Sequence, residues 1–253
     1  MTRDLIGKTV LLTGATGSIG QAIARELAAT GARVLLHYHS NATCAEALVA
    51  EIGQGAAALP GDLSDAQGPS ALWEAAEAKA GRIDVLINNA GVLTASSVDD
   101  PLEVWHDAWH RDLQLNLMVA ADLSRSAIRH FRAHGGGRII NMASRAGQGG
   151  YRAEAMSYGA SKAALINLTQ SIARGFAAQG ITAMAVAPGW VRTEMSEDYI
   201  RTHGEAAALS GVPLGKMAEP AELAELVAFL LRPSQASLTG AVLDVNGASQ
   251  MRS

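Results

Sequence analysis

Seven short apolar runs, separated by longer alanine- and leucine-rich segments, constrain the fold of this chain more than any other feature. They are "KTVLLT" (8–13), "RVLLHY" (33–38), "AAALP" (56–60), "IDVLIN" (83–88), "RIINMA" (138–143), "TAMAVA" (182–187) and "AVLDV" (241–245). Segments such as "IGQAIARELAAT" and "KAALINLTQSIARGFAAQ" carry apolar residues at helical spacing between them. Runs that are apolar throughout, rather than alternating, are expected of strands covered by helices on both faces. The pattern therefore predicts a doubly wound α/β domain with a parallel sheet.

Glycines punctuate the alternation. Gly31, Gly81 and Gly180 each follow a helical segment and precede a run, where a left-handed C-cap is expected. "HGGGRI" (134–139) reads as a helix-to-strand loop, because a strand follows at once. No repeat, charge block or low-complexity linker divides the chain, so residues 1–253 are expected to form one domain.

The composition narrows the class of ligand. With 20 basic and 24 acidic residues and a formal charge of −4, the chain lacks the basic footprint of a nucleic-acid or anionic-membrane binder. It is 49% hydrophobic and 17% charged, as expected of a large buried core with some surface lost to subunit contacts. Cys44 is the single cysteine, which excludes an internal disulfide and suits a reducing cytoplasm. The N-terminal "MTRDLIGKTVLLTG" has no signal-peptide core, and no apolar run is long enough for a membrane span. A cytoplasmic protein with a small-molecule ligand is expected.

The stretch "LLTGATGSIGQAIA" (11–24) joins the first run to the first helix through Gly14, Gly17 and Gly20. Free N–H groups and the positive dipole end at a helix start suit a pyrophosphate. Gly20, inside the helix, would let helix and strand pack closely. The spacing alone leaves a ligand-free tight turn open. It meets neither GxGxxG, because Gly14 and Gly17 are three residues apart where that pattern needs two, nor the Walker pattern, because no Gly-Lys-Ser/Thr follows.

Downstream motifs decide. "NNAG" (88–91), "LQLN" (113–116), "NMAS" (141–144), "YGASK" (158–162), "PGWVRT" (188–193) and "LTGAVLDVNGA" (238–248) follow the glycine turn in order. Together this set resembles the short-chain dehydrogenase/reductase family over nearly the whole chain, in general appearance its 3-oxoacyl-[acyl-carrier-protein] reductases. "TGATGSIG" departs from the TGxxxGxG of single-domain members, since Ser18 replaces the middle glycine. Its spacing matches the TGxxGxxG of the extended branch, but the length of 253 residues assigns the chain to the single-domain branch. The resemblance implies a single-domain Rossmann fold with a seven-stranded parallel sheet.

It also implies a nicotinamide dinucleotide and its contacts. Gly14, Thr16, Ser18, Ile19 and Gly20 correspond to the pyrophosphate turn, and Asp62 and Leu63 to the adenine contact. Asn89, Ala90 and Gly91 lie in the segment beside the adenosine ribose, and Pro188, Gly189, Val191 and Thr193 in the segment holding the carboxamide. Tyr158 and Lys162 match the catalytic pair, with Lys162 also holding the nicotinamide ribose. Ser144 matches the residue that orients the carbonyl oxygen. Asn116 matches the one that positions a water linking Lys162 to solvent. Hydride transfer from the pro-S face is implied.

Tyr158 and Lys162 stand four residues apart, on one face of a helix. Taken alone, that spacing would suit a mere surface contact. A free phenol titrates near 10, so proton exchange near neutrality asks for a fall of roughly 3 units, or about 4 kcal/mol. An ammonium about 4 Å away at an effective dielectric of 20 supplies roughly that much. The expectation is a tyrosine whose pKa is pulled down by its lysine.

The second run ends "LHYHSN", with no carboxylate where an NAD enzyme binds the ribose 2'-hydroxyl. Tyr38, His39 and Ser40 occupy the place, and His39 and Ser40 can donate to a 2'-phosphate. NADP(H) is therefore expected over NAD(H), although neither Gly17 nor this run carries an arginine or lysine for the phosphate. A substrate lid is expected at about 194–217, facing the loop "RAGQGGYRAEAM" (145–156), where Arg145 is the better candidate than Arg152 for an anionic substrate. His106/His110 and His130/His134 lack a third ligand and predict no metal site.

The expected activity is reduction of a carbonyl, of a 3-oxoacyl thioester or ketone, or oxidation of a secondary alcohol. An NAD(H)-dependent sugar or polyol dehydrogenase is one alternative and a non-catalytic dinucleotide-sensing protein another. The resemblance implies a homotetramer built through helices at 103–134 and 155–179 and the last strand.

Overall fold

A computed structural model describes residues 4–251. Seven strands form one parallel sheet: β1 Thr9–Leu12, β2 Arg33–Tyr38, β3 Ala57–Pro60, β4 Val85–Asn88, β5 Gly137–Met142, β6 Ile181–Pro188 and β7 Val242–Val245. Their order is β3-β2-β1-β4-β5-β6-β7. The chain runs outward from β1 to one edge, then returns and fills the other side. Between β1 and β4 the direction of winding reverses, and ligands of such sheets bind there, beyond the carboxyl ends of the strands.

The helices are α1 Ser18–Ala29, α2 Ala42–Ile52, α3 Gly68–Ala80, α4 Leu102–Leu113, α5 Val119–Ala133, α6 Ala146–Gly149, α7 Met156–Phe176, α8 Glu194–His203, α9 Glu205–Leu209 and α10 Pro220–Leu230. Successive strand residues face opposite sides, so each apolar run feeds two cores. Val10 and Leu12, Val34 and Leu36, and Val85 and Ile87 join residues of α1 and α10 on one face. Leu11, Leu35 and Leu86 join Trp73 of α3, Phe131 of α5 and Ile172 of α7 on the other. Burial on both faces is why the runs read as continuous.

Two glycines fix where this sheet meets its loops. Gly180, in the left-handed region (φ 73°), ends the turn after α7 and starts β6. A Cβ on Gly20 would come 2.3 Å from the Gly14 carbonyl oxygen, so α1 approaches the β1 turn as closely as it does only with glycine there.

α4 does not run straight into α5. Residues Gln114–Met118 form a π-helical turn around Asn116, a distortion found most often at functional sites.

Candidate active site

A cavity of about 560 Å³ opens at the carboxyl ends of the strands. Its floor at one end is the turn after β1, lined by Gly14, Thr16, Ser18, Ile19 and Gly20. Gly17 starts α1 in extended geometry, and among the described residues no side chain caps that helix. The first N–H groups of an uncapped helix have no acceptor of their own, and here they border the cavity. That donor set fits the pyrophosphate of a dinucleotide.

The turn is held from behind. Thr13 accepts from the Asn89 and Ala90 N–H groups at 2.9 and 3.0 Å, and the Asn89 side chain donates to the Thr13 and Gly14 carbonyls at 3.0 and 3.1 Å. Gly14 is left-handed (φ 62°), and a Cβ there would meet the Ala90 Cα at 2.9 Å. Asn89, Ala90, Gly91, Asp62, Leu63, Pro188, Gly189, Val191 and Thr193 line the same cavity. His39 lines it too, whereas Tyr38 and Ser40 do not. The Asp62 carboxylate accepts from the Ser64 N–H and hydroxyl at 2.9 and 2.7 Å, which holds its pKa below the usual value.

At the other end Ser144, Tyr158 and Lys162 come together on the cavity wall. Ser144 follows β5 and its hydroxyl bonds to Tyr158. Lys162, 4% exposed, donates to the Met142 carbonyl at 2.9 Å. A Cβ on Gly91 would lie 2.9 Å from Asn116 Oδ1 and 3.2 Å from Lys162 Nζ, so only a glycine leaves these groups room. Asn116 stands behind the wall rather than on it. Its amide accepts from the Val92 N–H at 2.8 Å and donates to the Val92 carbonyl and the Ser161 hydroxyl.

The electrostatics correct one expectation. Burial pushes the Tyr158 phenol up to about 12, with the Ser144 hydrogen bond pulling the other way. Lys162 does not lower it in the protein alone. The ammonium is itself pushed down to about 8 by burial, partly offset by the negative charge of Asp112. Burial disfavours the charged form of each group and, in the protein alone, sets both pKa values more strongly than the pair sets each other.

Asp112, fully buried, was not evident from the sequence. Its carboxylate accepts from the Thr94 N–H at 3.0 Å and from the Ser157 hydroxyl at 2.7 Å, next to Tyr158. Thr13, His37 and Gly147 are further supports that the sequence reading passed over. A Cβ on Gly147 would come 2.5 Å from the backbone at Lys162 and Ala163, so α6 packs directly on the turn of α7 that carries Lys162.

Glu194, Met195 and Ser196, at the start of α8, line the cavity. Arg152 lies 4.6 Å from the centre of the Tyr199 ring on α8, 5.0 Å from that of Tyr151 and 5.8 Å from that of Trp190. This cation–aromatic cluster ties the loop before α7 to α8. Arg145, unlike Arg152, lines the cavity.

A doubly wound sheet with a pyrophosphate-receptive turn and a Ser–Tyr–Lys cluster in one cleft is the architecture of a dinucleotide-dependent oxidoreductase. The family described as enoyl-(acyl carrier protein) reductase matches residues 14–248. The chain is 35% identical to the 3-oxoacyl-[acyl-carrier-protein] reductase of Vibrio harveyi over 248 residues, covering 98% of this chain and 99% of that one. It superimposes on a 7α-hydroxysteroid dehydrogenase complexed with NADH and 7-oxo glycochenodeoxycholic acid with a TM-score of 0.89 and 30% identity, covering 97% and 95% of the two chains. A structure described as an NAD(P)-dependent gluconate 5-dehydrogenase from Beutenbergia cavernae, with bound NADP, gives 0.88 and 33% identity over 98% and 99%. The chain belongs to the short-chain dehydrogenase/reductase family. It is an NAD(P)-dependent oxidoreductase acting between a carbonyl and a secondary alcohol.

Proposed function

We propose that the protein is an NADPH-preferring reductase of 3-oxoacyl thioesters or related ketones, working in the cytoplasm as a homotetramer. The observation that carries this reading is the cluster of Ser144, Tyr158 and Lys162 on the wall of the same cavity as the Gly14–Gly20 turn, with burial keeping the Tyr158 phenol protonated. A protonated phenol is ready to donate, which is what carbonyl reduction asks of it.

The turn from Gly14 to Gly20 would hold the pyrophosphate, Asp62 and Leu63 the adenine, and Asn89 to Gly91 the adjoining ribose. Pro188, Gly189, Val191 and Thr193 would hold the carboxamide, with Tyr158 and Lys162 at the nicotinamide ribose. The bound nicotinamide supplies the hydride. Ser144 donates a hydrogen bond that orients the carbonyl oxygen, and Tyr158 delivers a proton to that oxygen as the carbon is reduced. Lys162 keeps a positive charge beside the developing negative charge and, through Asn116, exchanges protons with solvent. The segment 194–217 closes over the substrate.

NADP(H) preference is supported by the exposed His39 on the cavity wall and by the engagement of Asp62 with Ser64. The lack of lysine or arginine at Gly17 and at 38–40 favours, as a second reading, an NAD(H)-dependent sugar or polyol dehydrogenase. The deciding experiment follows NADPH and NADH consumption side by side with acetoacetyl-CoA. Faster loss of NADPH supports the first reading. Turnover of polyols with NAD⁺, and none of acetoacetyl-CoA, supports the second.

A further inference from the structure

We propose that His37 is a positioning residue for the dinucleotide turn, holding Gly14 in its receptive conformation only while its imidazole is neutral. The inference rests on the reading that the Gly14–Gly20 turn receives the dinucleotide.

His37 is the fifth residue of β2 and is 3% exposed. Its Nδ1 lies 3.1 Å from the Gly14 nitrogen and its Nε2 lies 3.1 Å from the Gly61 carbonyl oxygen. The partners fix the tautomer, because a backbone N–H can only donate and a carbonyl can only accept. Nδ1 must be bare and Nε2 must carry the hydrogen. The backbone adds a third tie, since the Ala15 N–H donates to the His37 carbonyl at 2.9 Å. One residue thus joins the turn after β1, the end of β2 and the loop after β3.

Those loops border the cofactor end of the cavity, and His37 itself reaches its wall. Gly14 is held left-handed against Ala90, so the turn has little freedom to adjust on that side. An imidazolium would aim an N–H at the Gly14 N–H. The bond would be lost and a buried donor left unpaired, a cost borne by the turn. Burial disfavours the charged ring, and its pKa lies below the usual histidine value.

The groups facing His37 are few. His39, just beyond the end of β2, lowers its pKa further by charge. Asp62, next to Gly61, lies 3.9 Å from His39 and is bonded to Ser64. On α2, the Cys44 thiol lies 3.9 Å from the Thr16 carbonyl of the same turn. Gly14 and Gly61 meet the ring with backbone only.

The experiment measures dissociation constants for NAD⁺ and NADP⁺ by tryptophan fluorescence between pH 4.5 and 8.5, for the wild type, His37→Asn and His39→Asn. Asparagine keeps an acceptor near the Nδ1 position and does not titrate. NAD⁺ separates the effect from protonation of a 2'-phosphate. In the wild type the NAD⁺ constant rises toward acid, approaching about tenfold per pH unit below the His37 pKa. His37→Asn removes that dependence, and His39→Asn keeps it with NAD⁺ but moves it toward higher pH, because the His39 charge no longer opposes protonation of His37. A flat wild-type profile, or the same slope in His37→Asn, overturns the proposal.

Should His37→Asn fail to fold, nitrogen NMR of the histidines in the wild type provides the second reading. A single Nε2–H tautomer for His37, titrating below the usual histidine value, is expected; an Nδ1–H tautomer overturns the proposal. Failure of both dinucleotides to bind at every pH would overturn the reading of the turn itself, a result distinct from binding that ignores pH.

Discussion

The Lys162 ammonium lies 5.7 Å from the centre of the Tyr158 ring, one helical turn along α7, and its proton is shared with the Met142 carbonyl at 2.9 Å. The lysine is therefore anchored to the end of β5, and burial sets both pKa values more strongly than the pair sets each other. Carbonyl reduction should then be flat through neutral pH and fall above about 8, as Lys162 loses its charge while Tyr158 is still protonated. Profiles of kcat against pH with saturating cofactor check this. Tyr158→Phe should lower kcat by about 10²–10⁴-fold while the dinucleotide still binds.

Keeping Lys162 buried should cost stability. Its folded pKa of about 8 lies below the 10.5 of the free side chain, so the unfolded chain binds more protons between those values. Stability from this group therefore rises as pH climbs from about 8 to 10.5, and the full cost is present below 8. Lys162→Met should abolish turnover and stabilise the fold at pH 7 by about 1–3 kcal/mol. Denaturant melts at pH 7 and pH 10.5 test the sign, because the difference should shrink at the higher pH.

Asp112 connects the pair to α4. Its charge raises the pKa of both Tyr158 and Lys162. Asp112→Asn keeps the size of the side chain and removes the charge, so both groups should titrate lower. The alkaline fall in kcat should move to more acidic pH, and a profile unchanged in position would contradict the electrostatic role.

The layout of the fold was legible in the residues, while much of the site's support was not. β3 at Ala57–Pro60 and β5 from Gly137 fall within a residue or so of the runs "AAALP" and "RIINMA", because strands buried on both faces must be apolar and glycines mark their ends. Tyr158 and Lys162 share a helical face, as their spacing requires. His37, by contrast, reads only as a polar residue in a strand. Its meaning comes from Gly14 and Gly61, 23 and 24 residues away. Thr13 and Asp112 likewise act on partners that only the tertiary fold brings near. The Tyr158 pKa was misjudged for the same reason, since spacing gives the lysine's position along the helix but not the depth of burial.

Gly17 and Gly20 separate two uses of glycine in one turn. A Cβ at Gly20 meets the Gly14 oxygen at 2.3 Å and the Ala15 Cα at 2.8 Å, whereas at Gly17 the nearest atom is 3.7 Å away. Gly20→Ala must push α1 off the turn, costing about 1–3 kcal/mol as overpacking does and weakening dinucleotide binding. Gly17→Ser adds the hydroxyl cap that α1 lacks and should stabilise the protein by a few tenths of a kcal/mol. That hydroxyl would occupy a helix N–H otherwise available to an anion, so binding should weaken here too. Melting temperature and dinucleotide affinity, measured together, should fall in parallel for Gly20→Ala and move in opposite directions for Gly17→Ser. Tighter binding by Gly17→Ser would mean that the free N–H groups of α1 are not what the dinucleotide uses.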